Sequence, residues 1–407
     1  MANTDGLERM NKVLEQLGHP EEELRVFHIA GTNGKGSTAC MIASILAQAG
    51  YRVGMYTSPH LEDVLERIQL ITADGSECIA QERYDELGAA VDEAAVACGY
   101  ESVHYFERLT AIAYLYYHEM KPDYVVLESG LGGRLDTTNT IAKPLVSVIT
   151  QVGLDHTQVL GNTIFRIARE KAGIIKPGVP VVSQTSDTMV RNVLVSVARD
   201  NGCDFYDASV ETDKIRKYSL QMKGDHQLAN AATAIEAIEA AGIQVTEDNI
   251  SVGLAKSFYP GRFEIIEASG NKADRKVIWL LDGAHNPDAM DALISTYNAW
   301  AGSNKTRRAL VVFGCMKDKN YGRMIQLMTQ KLRGCNYATA AVDDARAEDP
   351  MVLGQQIAER GHSCEVCDSV AEAVKYAEEG NFQAILVTGS LYLVGAVRQY
   401  LKEKETE

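Results

Sequence analysis

Along almost the whole chain, short apolar runs alternate with longer stretches whose apolar residues recur at helical spacing. In the first part, "RVFHIA", "YRVGMYTS", "DYVVLESG", "LVSVITQV" and "VPVVSQ" predict strands, while Ser37 to Ala49, Gln81 to Cys98, Glu107 to Met120 and Thr163 to Ala172 predict helices. Repetition of strand and helix implies parallel strands joined by crossover helices, an α/β fold. The pattern pauses near Pro260 and Gly261, where "EASGNKADRK" is polar and rich in turn formers. It resumes with "VIWLLD", "RALVVFG", "YATAAVD", "CEVCDS" and "AILVTGS" as strands, a second, smaller, doubly wound unit. The boundary is expected between Gly261 and Lys276, with a parallel-sheet domain over 1–265 and a Rossmann-like domain over 275–407.

One join between strand and helix carries chemistry: "AGTNGKGST", residues 30–38. Gly31, Gly34 and Gly36 let the backbone approach an anion, Lys35 can reach terminal phosphates, and Ser37 and Thr38 can cap the helix and approach a metal. Gly36 intervenes between Lys35 and Ser37, so the spacing departs from the strict G-x-x-x-x-G-K-[ST] loop. Alone, the loop indicates a nucleotide and little about chemistry; a glycine-rich turn with an exposed lysine is the plain alternative.

Composition narrows the partners. With 407 residues, 46% hydrophobic and 23% charged, the chain has the make-up of an ordinary globular protein with room for two or three cores. A formal charge of -15 argues against nucleic acid and anionic membrane as partners, since both need a basic face. An anionic ligand must then be held locally, by backbone N–H groups, a few Lys or Arg, or metal ions. The eight cysteines are scattered; the close pair Cys364 and Cys367 has redox or zinc spacing but lies in a strand-like run with no second pair beside it. The polar start "MANTDGLERM" and the lack of an apolar run approaching ~20 residues predict neither signal peptide nor membrane span, so the cytoplasm is the expected compartment; oligomeric state is not readable in the sequence, and a monomer is the default expectation.

Further motifs follow the loop in order: "YTSPHL" (56–61), "ESGLGGRLDTTN" (128–139), "VGLDHT" (152–157), "EKAGIIKPG" (170–178), "HQLANAA" (226–232), "PGRFE" (260–264), "LDGAHNP" (281–287) and "GSLYLVGAVR" (389–398). Ser58, Glu128 and His156 each come just after a predicted strand, where loops of a parallel sheet converge on its ligand-binding edge. A hydroxyl, a carboxylate and an imidazole could hold Mg²⁺, although a helix cap, a strand-end charge and a loop histidine are the bland alternatives. Together with the loop these motifs fit one reaction, ATP-driven joining of a carboxylate to an amine.

The set closely resembles the folylpolyglutamate synthase/dihydrofolate synthase family, a branch of the Mur-ligase-like amide ligases, over nearly the whole chain. The resemblance implies a P-loop-containing ATP-binding domain followed by the Rossmann-like domain. It also implies an activity: addition of L-glutamate to folates or to dihydropteroate through an acyl phosphate. Another Mur-type ligase, or a regulatory NTPase without ligation, is the alternative. It further implies that Ser58, Glu128 and His156 hold magnesium, and that Lys171 is carbamylated to help orient a second metal. Without the resemblance, Lys171 is an ordinary lysine near a helix end, and Lys176 serves as its control. ATP is expected at Gly34, Lys35, Gly36, Ser37, Asn230, Arg262, Asp282 and His285, in a cleft between the domains. Lys35, His156 and Lys171 are expected to act in catalysis. The pteridine substrate is expected near Tyr105, Phe106 and Glu107 and near Leu135, Asp136 and Thr137.

The chain departs from the pattern in four places. Its lead before "GLERM" is shorter than in most relatives, either natively or by truncation, and the stretch in question is one that helps form the folate side of the cleft in the family. Tyr259 stands for a usual tryptophan, Ser129 for a usual valine, and "SGNKADRK" predicts a longer hairpin loop between Arg262 and Asp282.

Overall fold

The computed structural model describes residues 5–269, 276–332 and 334–406. They group into two compact units, Met1–Gln221 with His226–Phe258, and Met222–Asp225 with Tyr259–Glu407.

The first unit is built on eight strands: β1 (Val26–Ala30), β2 (Val53–Tyr56), β3 (Ile68–Thr72), β4 (Gly75–Cys78), β5 (Tyr124–Glu128), β6 (Val146–Ile149), β7 (Val181–Ser183) and β8 (Phe205–Asp207). Their order across the sheet is β4-β3-β2-β5-β1-β6-β7-β8. From β2 to β8 all neighbours run parallel. The central strands are buried along their whole length, which is why "VFHIA" and "YVVLE" are apolar on both faces rather than alternating. One face carries the helices Asp5–Gln16, Gln81–Ala97 and Tyr105–Met120, whose Met10, Val91, Tyr114 and Tyr117 are fully buried with Leu127 of β5. The helices Ile164–Ala172 and Thr188–Asp200 pack Ile167, Ala168 and Leu194 against Ile149 and Val181.

Leaving β1, the chain runs first to β2 on one side and later to β6 on the other. That reversal puts the ends of β1, β5 and β6 at a topological switch point, where loops diverge and leave a crevice for a ligand.

The second unit holds β9 (Glu264–Ser269), β10 (Lys276–Leu281), β11 (Ala309–Phe313), β12 (Cys335–Ala340), β13 (Cys364–Cys367) and β14 (Ala384–Thr388) in the order β13-β12-β11-β14-β10-β9. All pairings are parallel except β9 with β10.

The helix after the glycine loop begins at Lys35, not Ser37, because Gly34 supplies the left-handed turn into it. The helix expected from Glu107 begins at Tyr105, since the Glu107 carboxylate reaches back to the His104 N–H at 3.1 Å and secures the first turn. Two antiparallel edges were absent from the parallel reading. The hairpin β3–β4 escaped because "GSEC" is exposed at every position and has no apolar pattern. Strand β9 begins inside "PGRFE" and takes in the first residues of "EASGNKADRK". The expected long loop falls on residues 270–275, outside the described residues. The "CEVC" pair is strand β13, and burial pushes both thiols up to about 11, which suits packing rather than redox work.

Candidate active site

The glycine loop is held from the β6 side. Thr32 N–H donates to the Gln151 carbonyl at 2.7 Å, Asn33 Nδ2 donates to Gln151 Oε1 at 2.9 Å, and the Thr150 hydroxyl donates to the Asn33 carbonyl at 2.8 Å. Thr150 is so close that a Cβ on Gly31 would stand 1.8 Å from its Oγ1. Gly34 has φ 90°, and its own added Cβ would meet Asn230 Oδ1 at 2.4 Å. Both glycines are therefore required by geometry. With no side chain at Gly34 to cap the helix Lys35–Gln48, the first-turn N–H groups point into the loop, as an anion site needs.

Asn230 lies beneath this loop, buried, and its hydrogen bonds go inward. Gln184 Nε2 donates to Asn230 Oδ1 at 2.9 Å, Asn230 Nδ2 donates to Gln227 Oε1 at 2.9 Å, and Gln227 Nε2 reaches Ser37 Oγ at 3.4 Å. This row of amides braces the loop from below. Gln184 and Gln227 were missed in the sequence; the only available signal was that one follows a strand and the other sits in "HQLANAA".

Above the loop the charges gather. Lys35 Nζ lies 3.7 Å from Glu128 Oε1, and the Ser58 N–H donates to Glu128 Oε2 at 3.2 Å. Glu128 is 3% exposed at the end of β5, so its charge is compensated locally. Lys171, also 3% exposed, donates from Nζ to the Gly31 carbonyl at 2.6 Å. Burial, with Lys35 adding repulsion, pushes its pKa down to about 7. Lys176 is half-buried, bonds the Asn139 carbonyl at 3.0 Å, and ties down a loop. His156 is exposed, at φ 49° and ψ 38°, opening the short helix Thr157–Leu160. Its segment is attached to the glycine loop through Thr32, whose Oγ1 donates to the Gly153 carbonyl at 3.0 Å.

The expected substrate residues divide. Tyr105 is exposed, whereas the Phe106 ring lies against Gly130 and tilts toward Tyr56 at 6.1 Å between centroids. Glu107 is buried and takes both ends of the Arg9 guanidinium at 2.7 Å, fastening the helix Asp5–Gln16. Asp136 and Thr137 are buried and Leu135 half-buried. Asp136 accepts from Leu131 N–H at 2.7 Å and from the Thr138 hydroxyl at 2.6 Å; burial raises its pKa. Because Thr138 spends its hydroxyl proton there, His28 Nε2, 2.8 Å away, must be the donor to Thr138 Oγ1. His28 is buried on β1 and held neutral, its pKa pushed down to about 3 by burial and then by Lys176. The line His28–Thr138–Asp136 fixes the "GLGGRLDTTN" loop, and His28 gave no sequence signal beyond lying in a strand.

In the second unit, Asp282 is buried and accepts from the N–H groups of Phe263 and Ala284, both at 2.9 Å. Arg262 stands 5.3 Å from the centre of the Tyr259 ring, and His285 Nδ1 lies 2.9 Å from the Gly283 carbonyl. Glu264 accepts from Gly261 N–H at 3.0 Å and from Arg398 Nε at 2.8 Å, so "PGRFE" and "SLYLVGAVR" are one structural feature.

Residues 29–238 match the Mur ligase middle domain, and residues 261–391 match the Mur ligase, glutamate ligase domain. The dihydrofolate synthase/folylpolyglutamate synthase of Bacillus subtilis is 34% identical over 98% of this chain and 95% of its own. The chain belongs to the folylpolyglutamate synthase/dihydrofolate synthase family. Solved structures of the family agree in fold. Escherichia coli FolC in complex with DHPP and ADP superposes with a TM-score of 0.86 at 31% identity, covering 98% of this chain and 94% of that one. The bifunctional Yersinia pestis enzyme complexed with AMPPNP and Mn ion gives 0.83 at 30% identity, over 98% and 93%. The Mur-ligase-like two-domain α/β fold is thus this family's, and the glycine loop, Glu128 and Lys171 all lie within the middle-domain match.

Proposed function

We propose that this chain is an ATP-dependent ligase that joins L-glutamate to a folate, to dihydropteroate, or to both, releasing ADP and phosphate. The observation that carries it is the compact assembly of Lys35, Glu128 and buried Lys171 on a phosphate-type loop at the switch point, in a chain of this family.

A carboxylate is a poor electrophile, so the acceptor's carboxylate first attacks the γ-phosphorus of ATP to give an acyl phosphate and ADP. The glutamate amine then adds to the acyl carbon, and phosphate leaves from the tetrahedral intermediate with the acyl oxygen attached. Loop N–H groups from Gly34 to Ser37 hold the phosphates, and Lys35 offsets charge on the phosphoryl group in flight. Asn230 keeps Gly34 in its left-handed turn from below. For the second unit, we assign Arg262, Asp282 and His285 to ATP binding, with Asp282 setting the backbone turn.

A divalent cation fits Ser58 and Glu128, since a hydroxyl and a carboxylate beside a phosphate loop are hard oxygen donors. Among the described residues no group of three or more His, Cys, Asp or Glu stands ready around one point. Mg²⁺ takes one or two protein ligands and fills the rest with phosphate oxygens and water. When bound, it would neutralise charge on the transferring group. We assign His156 to the same role at the acyl phosphate.

The Lys171 amine, with its pKa near 7, is substantially neutral at physiological pH and so can add to CO2, forming the N–C bond and releasing a proton. The carbamate would reverse the charge beside Lys35. Its readout is the carbonyl signal of ¹³C-bicarbonate-treated protein by NMR, present in the native chain and absent in Lys171→Met.

The function is tested by incubating the protein with Mg-ATP and L-glutamate, with dihydropteroate in one tube and tetrahydrofolate in another, and weighing the products. A glutamate-sized increase in both tubes means a bifunctional enzyme, and in one alone assigns the acceptor. ATP turnover indifferent to acceptor and glutamate would instead favour a regulatory NTPase.

A further inference from the structure

The segment after β2 contains a charge that the chemistry above leaves unused. Arg67 closes the one-turn helix Val64–Arg67 and is only 6% exposed. Its backbone carbonyl accepts from Thr57 N–H at 3.1 Å, next to Ser58, which itself bonds Glu128; Arg67 is therefore fastened to the ligand-binding edge of the sheet. Its Nε donates to His60 Nδ1 at 2.9 Å, so His60 is neutral and supplies no counter-charge. Among the described residues, the two terminal nitrogens of the guanidinium meet no carboxylate and no other acceptor. The carboxylate adjacent in sequence, Glu66, is spent on the N–H groups of Leu61, Glu62 and Asp63. Over the guanidinium, 5.8 Å away, stands the ring of Tyr105, which is 57% exposed.

A buried cation without an anion is costly, and a fold tolerates it where a ligand supplies the missing charge. The free edge of Arg67 is a two-pronged donor that matches a carboxylate. ATP's phosphates have their own cradle at the glycine loop. A single guanidinium beside a neutral imidazole and an open aromatic ring suits instead a singly charged group on a flat molecule. We infer that Arg67 binds a carboxylate of the aromatic acceptor, whose ring system the family resemblance already implies near Tyr105. This rests on the ligase reading for the identity of the acceptor. Two carboxylates share the chemistry: the α-carboxylate of a glutamyl tail, carried by folates, and the benzoate carboxylate of dihydropteroate.

The test is calorimetric binding of tetrahydrofolate and of dihydropteroate to the full chain with Mg-AMPPNP present, for wild type, Arg67→Lys and Arg67→Met. Losing a charge-assisted pair of hydrogen bonds should weaken acceptor binding about 10- to 100-fold in both variants, with AMPPNP affinity unchanged. Loss for tetrahydrofolate alone assigns the glutamyl α-carboxylate; loss for dihydropteroate assigns the benzoate carboxylate. Displacement by 6-hydroxymethylpterin, which has no carboxylate, should be the same in all three proteins. Arg67→Met should unfold at or above the wild-type temperature, because it removes an unpaired buried charge; a marked fall together with lost AMPPNP binding would make Arg67 a structural residue and overturn the inference. Unchanged affinity for both acceptors, or an equal loss for 6-hydroxymethylpterin, also overturns it, as does a wild type that binds neither acceptor. Wild-type binding without product formation would sink the ligase reading and leave the carboxylate site standing.

Discussion

Replacing Gly34 by alanine should break the brace under the phosphate loop, by an amount the geometry sets. A residue with a Cβ at φ 90° pays the left-handed penalty, about 1–2 kcal/mol. The new Cβ would also fall 2.4 Å from Asn230 Oδ1, so the amide must move. Moving it strains two buried hydrogen bonds, to Gln184 and to Gln227, each 2.9 Å long, and stranding one such group costs about 1–3 kcal/mol. Gly34→Ala should therefore cost about 2–5 kcal/mol, or about 5–15 °C for a unit of this size. In an Asn230→Ala background the clash is gone and only the backbone penalty remains, which predicts a coupling energy of about 1–3 kcal/mol in a double-mutant cycle. Urea unfolding can resolve this because both tryptophans, Trp279 and Trp300, belong to the second unit. Tryptophan fluorescence then follows the second unit, and circular dichroism reports both. Strict additivity of the two substitutions would refute the claim that Asn230 works by supporting Gly34.

In CO2-free buffer, where the Lys171 amine is unmodified, Lys171→Met should be stabilising in a pH-dependent way. The folded pKa is lowered to about 7 from 10.5, so between those values the unfolded chain binds more protons and wild-type stability rises with pH. The variant's advantage should be largest below pH 7 and shrink toward pH 10; a pH-independent difference contradicts the burial argument. Glu128→Gln should lower ligation about 10²–10³-fold with unchanged circular dichroism, and activity within a few-fold of wild type would remove Glu128 from the chemistry. Arg398→Met strands Glu264, which is 7% exposed, and should take about 3–5 kcal/mol from the second unit alone. An unchanged tryptophan-fluorescence midpoint would show that the pair contributes nothing.

What could be read in the sequence follows from what periodicity records. The strands β1, β5, β6, β11 and β14 announced themselves because they are buried on both faces, and burial on both faces writes a continuous apolar run. The edge strands did not, because "GSEC" pairs through its backbone while its side chains face solvent. The glycine loop was legible because its torsions and close approaches exclude other residues. Lys171 was legible only by resemblance. Helical spacing puts it near the end of an amphipathic helix, and nothing local shows that Gly31, far away in sequence, comes to within 2.6 Å of its Nζ. His28, Gln184, Gln227 and Arg67 stayed hidden for the same reason: their partners come from other elements, and a polar residue's burial is a property of the fold. The family motifs imply Asn230 and Asp282 at the nucleotide, and the geometry adds that Asn230 is bonded to the side-chain amides of Gln184 and Gln227 while Asp282 accepts from backbone N–H groups of Phe263 and Ala284.

If ATP activates the acceptor's carboxylate for attack by glutamate, one oxygen of that carboxylate must leave with the phosphate. The most direct measurement uses acceptor labelled with ¹⁸O in both oxygens of that carboxylate, with Mg-ATP and L-glutamate, and mass spectrometry of both products. The expected result is a glutamylated product retaining one labelled oxygen and inorganic phosphate carrying the other. Unlabelled phosphate, or phosphate formed with no glutamylated product, would contradict it.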